Sequence, residues 1–119
     1  MVKSKVLVVD DEETIRNLIK VVLTREGREV LLSSRGRDAV EIFQRERPDI
    51  TILDIEMPDL NGIEVLRRIR AVDQGATVMI FTGSCTESLL KQAQELGVTE
   101  ILEKGSSLSA ICEARTPRV

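Results

Sequence analysis

The chain has 119 residues, 17 basic against 20 acidic side chains, a formal net charge of −3 and 42% apolar residues. That apolar content builds one core of ordinary domain size and is too high for a disordered segment, while the acidic balance argues against direct nucleic-acid contact, which needs a basic patch. With no histidine in the chain, His-ligated zinc, a histidine-based triad and an internal phosphohistidine are all excluded.

Lys5-Val6-Leu7-Val8-Val9 is a continuous apolar run, the pattern of a strand buried on both faces, and it stops at Asp10-Asp11-Glu12-Glu13. Ile15, Leu18, Ile19, Val22 and Leu23 then recur at the spacing of one helix face, with Gly27 at the position after the helix end. Glu29 to Ser33 reads as a second strand. Ala39, Val40 and Phe43 line a second helix that ends before Pro48. Ile50 to Asp54 is a third strand, and Met57 to Gly62 is a turn by its Pro, Asn and Gly content. Ile63, Leu66 and Ile69 face inward from a third helix, in which Arg67-Arg68-Ile69-Arg70 reads as a solvated charged face. Thr77 to Thr82 is a fourth strand. Leu89, Leu90, Ala93 and Leu96 mark a fourth helix, capped by Gly97. Thr99 to Glu103 is a fifth strand, and residues 107 to 114 form a short last helix. Strands alternating with helices predict a doubly wound parallel α/β sheet, a single domain over residues 1–119. No apolar run is long enough to cross a bilayer, and no basic-plus-apolar leader precedes the first strand, so a cytoplasmic protein is expected. Cys85 and Cys112 have neither metal-ligand nor redox spacing and read as free thiols.

The polar residues fall where such a sheet binds ligands. Asp10 and Asp11 follow strand one, Asp54 ends strand three, Thr82 ends strand four and Lys104 follows strand five. In a parallel sheet all these ends share one edge, where open α/β folds place their sites. Clustered carboxylates repel unless a cation compensates, and a hard divalent ion such as Mg²⁺ does so beside a phosphoryl group. Asp54 is then a candidate nucleophile toward phosphorus, forming an acyl phosphate. The Lys104 ammonium and the Thr82 hydroxyl would meet the phosphoryl oxygens. Taken singly, each residue has a plainer role. Asp10 and Asp11 suit a helix N-terminus, Thr82 suits a strand, and Lys104 suits solvent.

Val8-Val9-Asp10-Asp11-Glu12, Leu53-Asp54-Ile55-Glu56-Met57-Pro58, Asn61-Gly62, Phe81-Thr82-Gly83 and the late Lys104 together resemble the receiver domain of bacterial two-component response regulators, from about residue 4 to about residue 105. The resemblance implies a flavodoxin-like fold with strand order 2-1-3-4-5. It implies Asp54 as phosphoacceptor, with Mg²⁺ held by Asp11, Asp54 and the Glu56 backbone carbonyl and Asp10 reaching it through water. The implied donor is a phosphohistidine on a sensor histidine kinase or phosphotransfer protein. The implied output is a changed partner preference of the helix-four, strand-five, helix-five surface, toward an output domain or protein. Such a domain is a switch with slow self-dephosphorylation and not a turnover enzyme; pairing of two copies is left open.

Three positions depart from the family pattern. Gly105 follows Lys104 where proline is usual, and a cis bond before a non-proline residue costs roughly 3 kcal/mol, so a trans 104–105 peptide is expected. Ile101 stands where an aromatic switch residue is common. The last helix is short. These departures leave an alternative, a receiver-like interaction module whose partner binding is not controlled by phosphorylation. A flavin site is disfavoured, because Asp10-Asp11-Glu12-Glu13 would repel its phosphate. The Asp-x-Asp pattern of aspartate-nucleophile phosphatases is missing.

Overall fold

The computed structural model describes residues 4–57, 59–83 and 86–103. Five strands and four helices alternate through them: β1 (Lys5–Val9), α1 (Glu13–Arg25), β2 (Glu29–Ser33), α2 (Gly36–Glu46), β3 (Ile50–Leu53), α3 (Gly62–Val72), β4 (Thr77–Thr82), α4 (Glu87–Glu95) and β5 (Glu100–Glu103). The strands form one parallel sheet in the order β2-β1-β3-β4-β5. This is the doubly wound, flavodoxin-like order that the family resemblance implies. The expected short last helix, Cys85, Cys112, Lys104 and the 104–105 peptide lie outside the described residues.

Alternate residues of each central strand feed two cores, because side chains of a strand point to opposite faces. Leu7, Val9, Leu53, Val78 and Ile80 pack with Ala39 and Phe43 of α2, with Ile63, Val65, Leu66 and Ile69 of α3, and with Ala93 of α4. Val6, Val8, Ile50, Ile52, Met79 and Phe81 face the other way, onto Ile19 and Leu23 of α1. Helices on both faces explain why β1 and β3 are continuous apolar runs. One polar side chain is caught between them. Thr51 is fully buried, and its hydroxyl has no hydrogen-bond partner among the described residues.

Three expectations need correction. Leu18 is not part of the buried stripe of α1: it is 44% exposed, beside Val21 at 47%. Adjacent residues are about 100° apart around a helix, so turning Ile19 and Leu23 onto the sheet swings Leu18 to the side. The third strand ends at Leu53, because the carboxylate of Asp54 turns to accept from the Glu56 N–H and the chain leaves the sheet. The Arg67–Arg70 stretch is not simply solvated. Ile69 is fully buried. The Arg70 guanidinium donates to the carbonyls of Leu96 (2.6 Å), Ala76 (2.5 Å) and Gly97 (2.8 Å). Carbonyls at a helix C-terminus lack intrahelical partners and carry partial negative charge, which draws a guanidinium fork.

The loop between β3 and α3 is held tightly. Asn61 caps α3 by accepting from the Glu64 N–H at 3.1 Å. The Gly62 N–H donates to the Ile55 carbonyl at 2.8 Å. A Cβ on Gly62 would collide with the Asp54 carbonyl and lie 2.6 Å from Ile55 Cα, so only glycine allows α3 to start there. On the outer side of the loop, the Asp59 carboxylate accepts from the N–H groups of Gly36 (3.0 Å) and Arg37 (3.3 Å) at the start of α2. Partial desolvation pushes the Asp59 carboxyl up. The N–H donors of Gly36, Arg37, Leu60 and Asp59 itself outweigh that push and hold it below its ordinary value near 3.8.

Two stability measurements check these packing arguments. Thr51→Val removes a buried hydroxyl while keeping its volume, and is expected to raise stability by about 1 kcal/mol in urea unfolding; a loss would show that the hydroxyl is satisfied. A carboxyl whose pKa is lowered on folding adds stability above its unfolded pKa and loses it as pH falls through the folded one. Asp59→Asn is therefore expected to lose at most about 1 kcal/mol at pH 7, given solvent screening. The gap to wild type should close as pH falls below 3.8, and a gap independent of pH contradicts the assignment.

Candidate functional site: an acidic cluster at the carboxyl edge of the sheet

The last register pair between the adjacent strands β1 and β3 is Val9 with Leu53. Asp10 and Asp54 are the next residue on each strand. The ladder carries both to the edge: the Asp54 N–H donates to the Val9 carbonyl at 2.9 Å and the Asp10 N–H to the Ser33 carbonyl at 3.0 Å. Both side chains are 2% exposed. Each carboxylate then accepts from the backbone two residues on, Asp10 from the Glu12 N–H at 2.9 Å and Asp54 from the Glu56 N–H at 3.1 Å. These two Asx turns lead the chain away from the sheet and fix one oxygen of each carboxylate.

One carboxylate oxygen from each of Asp10, Asp11, Glu12 and Asp54 lies within 4.8 Å of the other three. Two ionised carboxylates at that separation repel by about 3–4 kcal/mol at an effective dielectric of roughly 20. Four such oxygens could hold a metal ion. The donors are hard oxygens, and two of them are exposed at the rim, where an ion can enter. Oxygens on adjacent vertices of a small octahedral ion at about 2.1 Å are about 3.0 Å apart and on opposite vertices about 4.2 Å, so some of the four could ligate one ion directly after contraction and others through water. The residues therefore fit a hard divalent cation. A positive group already stands beside them: Arg16 of α1 donates from Nη1 to the Asp10 carbonyl at 2.7 Å.

Thr82 and Glu56 are the other candidates among the described residues. Thr82 ends β4, the strand beside β3, and is fully buried. Glu56 is exposed at the rim, with its N–H on Asp54. β5 runs to Glu103, which is in register with Thr82, and Lys104 is the next residue in the chain. Glu12 is the residue that spacing alone does not single out. Its signal in the sequence is its place directly after Asp11, in the turn that the Asp10 carboxylate closes. No helix among the described residues is long and apolar enough to cross a membrane.

Comparison with known proteins agrees with this geometry. The family model described as the response regulator receiver domain matches residues 6–116. Sporulation initiation phosphotransferase F of Bacillus subtilis is 32% identical over 114 residues, covering 96% of this chain and 92% of that protein. The chemotaxis protein CheY of Thermotoga maritima is 32% identical over 111 residues, 92% of each. Among solved structures, a CheY-like receiver domain from Methanospirillum hungatei superposes with a TM-score of 0.91 at 22% identity, over 94% of this chain and 90% of that one. A CheX-CheY complex from Borrelia burgdorferi holding BeF₃ and Mg²⁺ superposes with a TM-score of 0.88 at 26% identity, over 93% and 85%. By its sequence, its strand order and the acidic edge of its sheet, this chain belongs to the response regulator receiver domain family.

Proposed function

We propose that this chain, read as a single receiver domain over residues 1–119, is a phosphorylation-dependent switch whose phosphoacceptor is Asp54. The observation that carries the reading is the buried Asp54 carboxylate, packed at the sheet edge within 4.8 Å of three more carboxylates. Asp54 has one oxygen oriented by the Glu56 N–H, which leaves the direction of the other constrained. That other oxygen forms a bond to phosphorus as the P–N bond of a partner's phosphohistidine breaks, and the imidazole leaves with the electron pair. The donor belongs to a sensor histidine kinase or phosphotransfer protein, since this chain has no histidine of its own.

Asp11, Asp54 and the Glu56 backbone carbonyl would hold Mg²⁺, with Asp10 reaching it through water and Glu12 at the rim. Bound there, Mg²⁺ neutralises both the crowded carboxylates and the phosphoryl oxygens. The Thr82 hydroxyl, at the end of the neighbouring strand, donates to a phosphoryl oxygen, and Lys104 adds a second positive contact. Drawing in Thr82 shifts the population of the surface built from α4, β5 and the fifth helix expected from the sequence, and so changes which output domain or protein binds. Ile101, half-buried on β5 against the α4 side of the core, supplies no aromatic ring to that shift. The domain works as a cytoplasmic switch and not as a turnover enzyme.

Incubation with acetyl phosphate and MgCl₂, followed by intact-mass measurement, is the test. One phosphoryl group is expected on the wild type, removable by hydroxylamine, lost with excess EDTA and absent from Asp54→Asn. Labelling of Asp54→Asn to the wild-type level, or labelling indifferent to EDTA, contradicts the reading.

A further inference from the structure

The N-terminus of α2 is capped from a distant part of the chain. Its own N-cap residue, Arg35, has extended backbone and no side-chain cap bond. The acceptor comes from Asp59, in the loop that follows the phosphoacceptor, through the Gly36 and Arg37 N–H groups. The contact is close-packed as well as polar. A Cβ on Gly36 would lie 2.8 Å from Val65 Cγ2, 2.9 Å from the Leu60 carbonyl and 3.0 Å from Leu60 Cβ. The same loop is closed at its base by the Gly62 N–H on the Ile55 carbonyl, at 2.8 Å. Glu56 lies between these two ties, with its N–H on Asp54 Oδ1 at 3.1 Å and its carbonyl in the proposed ligand set.

We propose that Asp59 is a positioning residue for the metal site: without touching the ion, its cap on α2 anchors the outer end of the loop after Asp54 and so aims the Glu56 carbonyl. This rests on the function proposed for Asp54 and its neighbours. The physical reason is that a backbone carbonyl has no rotamer to adjust. Its direction is that of the loop, which among the described residues is held by the Gly62 tie at its base, the Glu56 N–H on Asp54, the buried Met57 side chain and, at its outer end, Asp59. Losing the outer tie loosens that end, and removing a group that orients a ligand typically costs about 10- to 100-fold in metal affinity.

The test separates positioning from helix stability. MgCl₂ is titrated into the full chain and followed by amide shifts in NMR, with thermal unfolding recorded in parallel. Asp59→Ala is expected to weaken Mg²⁺ binding about tenfold and to lower the melting temperature. Asp59→Asn, which keeps an acceptor oxygen, should recover most of the affinity. The double variant Asp59→Ala with Arg35→Ser gives α2 a local cap. It should regain the melting temperature while Mg²⁺ binding stays weak. Recovery of both together would show that Asp59 acts only through the stability of α2 and would overturn the proposal. So would Asp59→Ala binding Mg²⁺ as tightly as wild type, a result that leaves the proposed function standing. A wild type that takes up no Mg²⁺ would overturn both.

Discussion

The site depends on one constraint, the register between β1 and β3. Pairing Val9 with Leu53 places Asp10 and Asp54 side by side, both buried, at the point where the two strands end. A one-residue slip would turn one of them into an apolar core. Two ionisable side chains held that close, with Asp11 and Glu12 joining them, oppose one another electrostatically. The fold contributes backbone N–H donors and a nearby guanidinium from Arg16. Crowded hard oxygens, two of them on residues exposed at the rim, make the edge a candidate place for a hard cation.

Much of the surrounding structure keeps that edge in place. The start of α3 sits directly on the Asp54 carbonyl, which is why Gly62 cannot carry a side chain. Asn61 caps the same helix, and Asp59 reaches across to cap α2. On the other side of the fold, Arg70 ties the end of α4 to α3 and to the approach to β4. The far end of α4 therefore has a fixed anchor, while its start lies just past Thr82.

The fold was legible in the sequence because its signals are local. Apolar runs mark strands buried on both faces, and Gly27 and Gly97 sit at positive φ where helices end. The carboxylate positions were legible for a topological reason: in a parallel sheet, residues at strand ends converge whatever their separation in the chain. Side-chain direction was less so. Periodicity placed Leu18 on the buried stripe, but only the docking of Ile19 and Leu23 against the sheet decides which edge of a broad stripe meets solvent. Arg70 looked like one of several surface charges because its acceptors, the carbonyls of Leu96 and Gly97, are more than twenty residues away. The Asp59 cap was hidden for the same reason, since capping is ordinarily read between neighbours in sequence.

The relatives include a sporulation phosphotransferase and chemotaxis proteins of similar length, so this scaffold serves outputs that its own edge does not specify. The ion proposed for that edge can be tested directly. Crystals soaked in MnCl₂ would report it through anomalous scattering. One manganese between the Asp11 and Asp54 carboxylates and the Glu56 carbonyl is the result this account predicts. Density elsewhere, or an ion that leaves Asp54 uncoordinated, would contradict it.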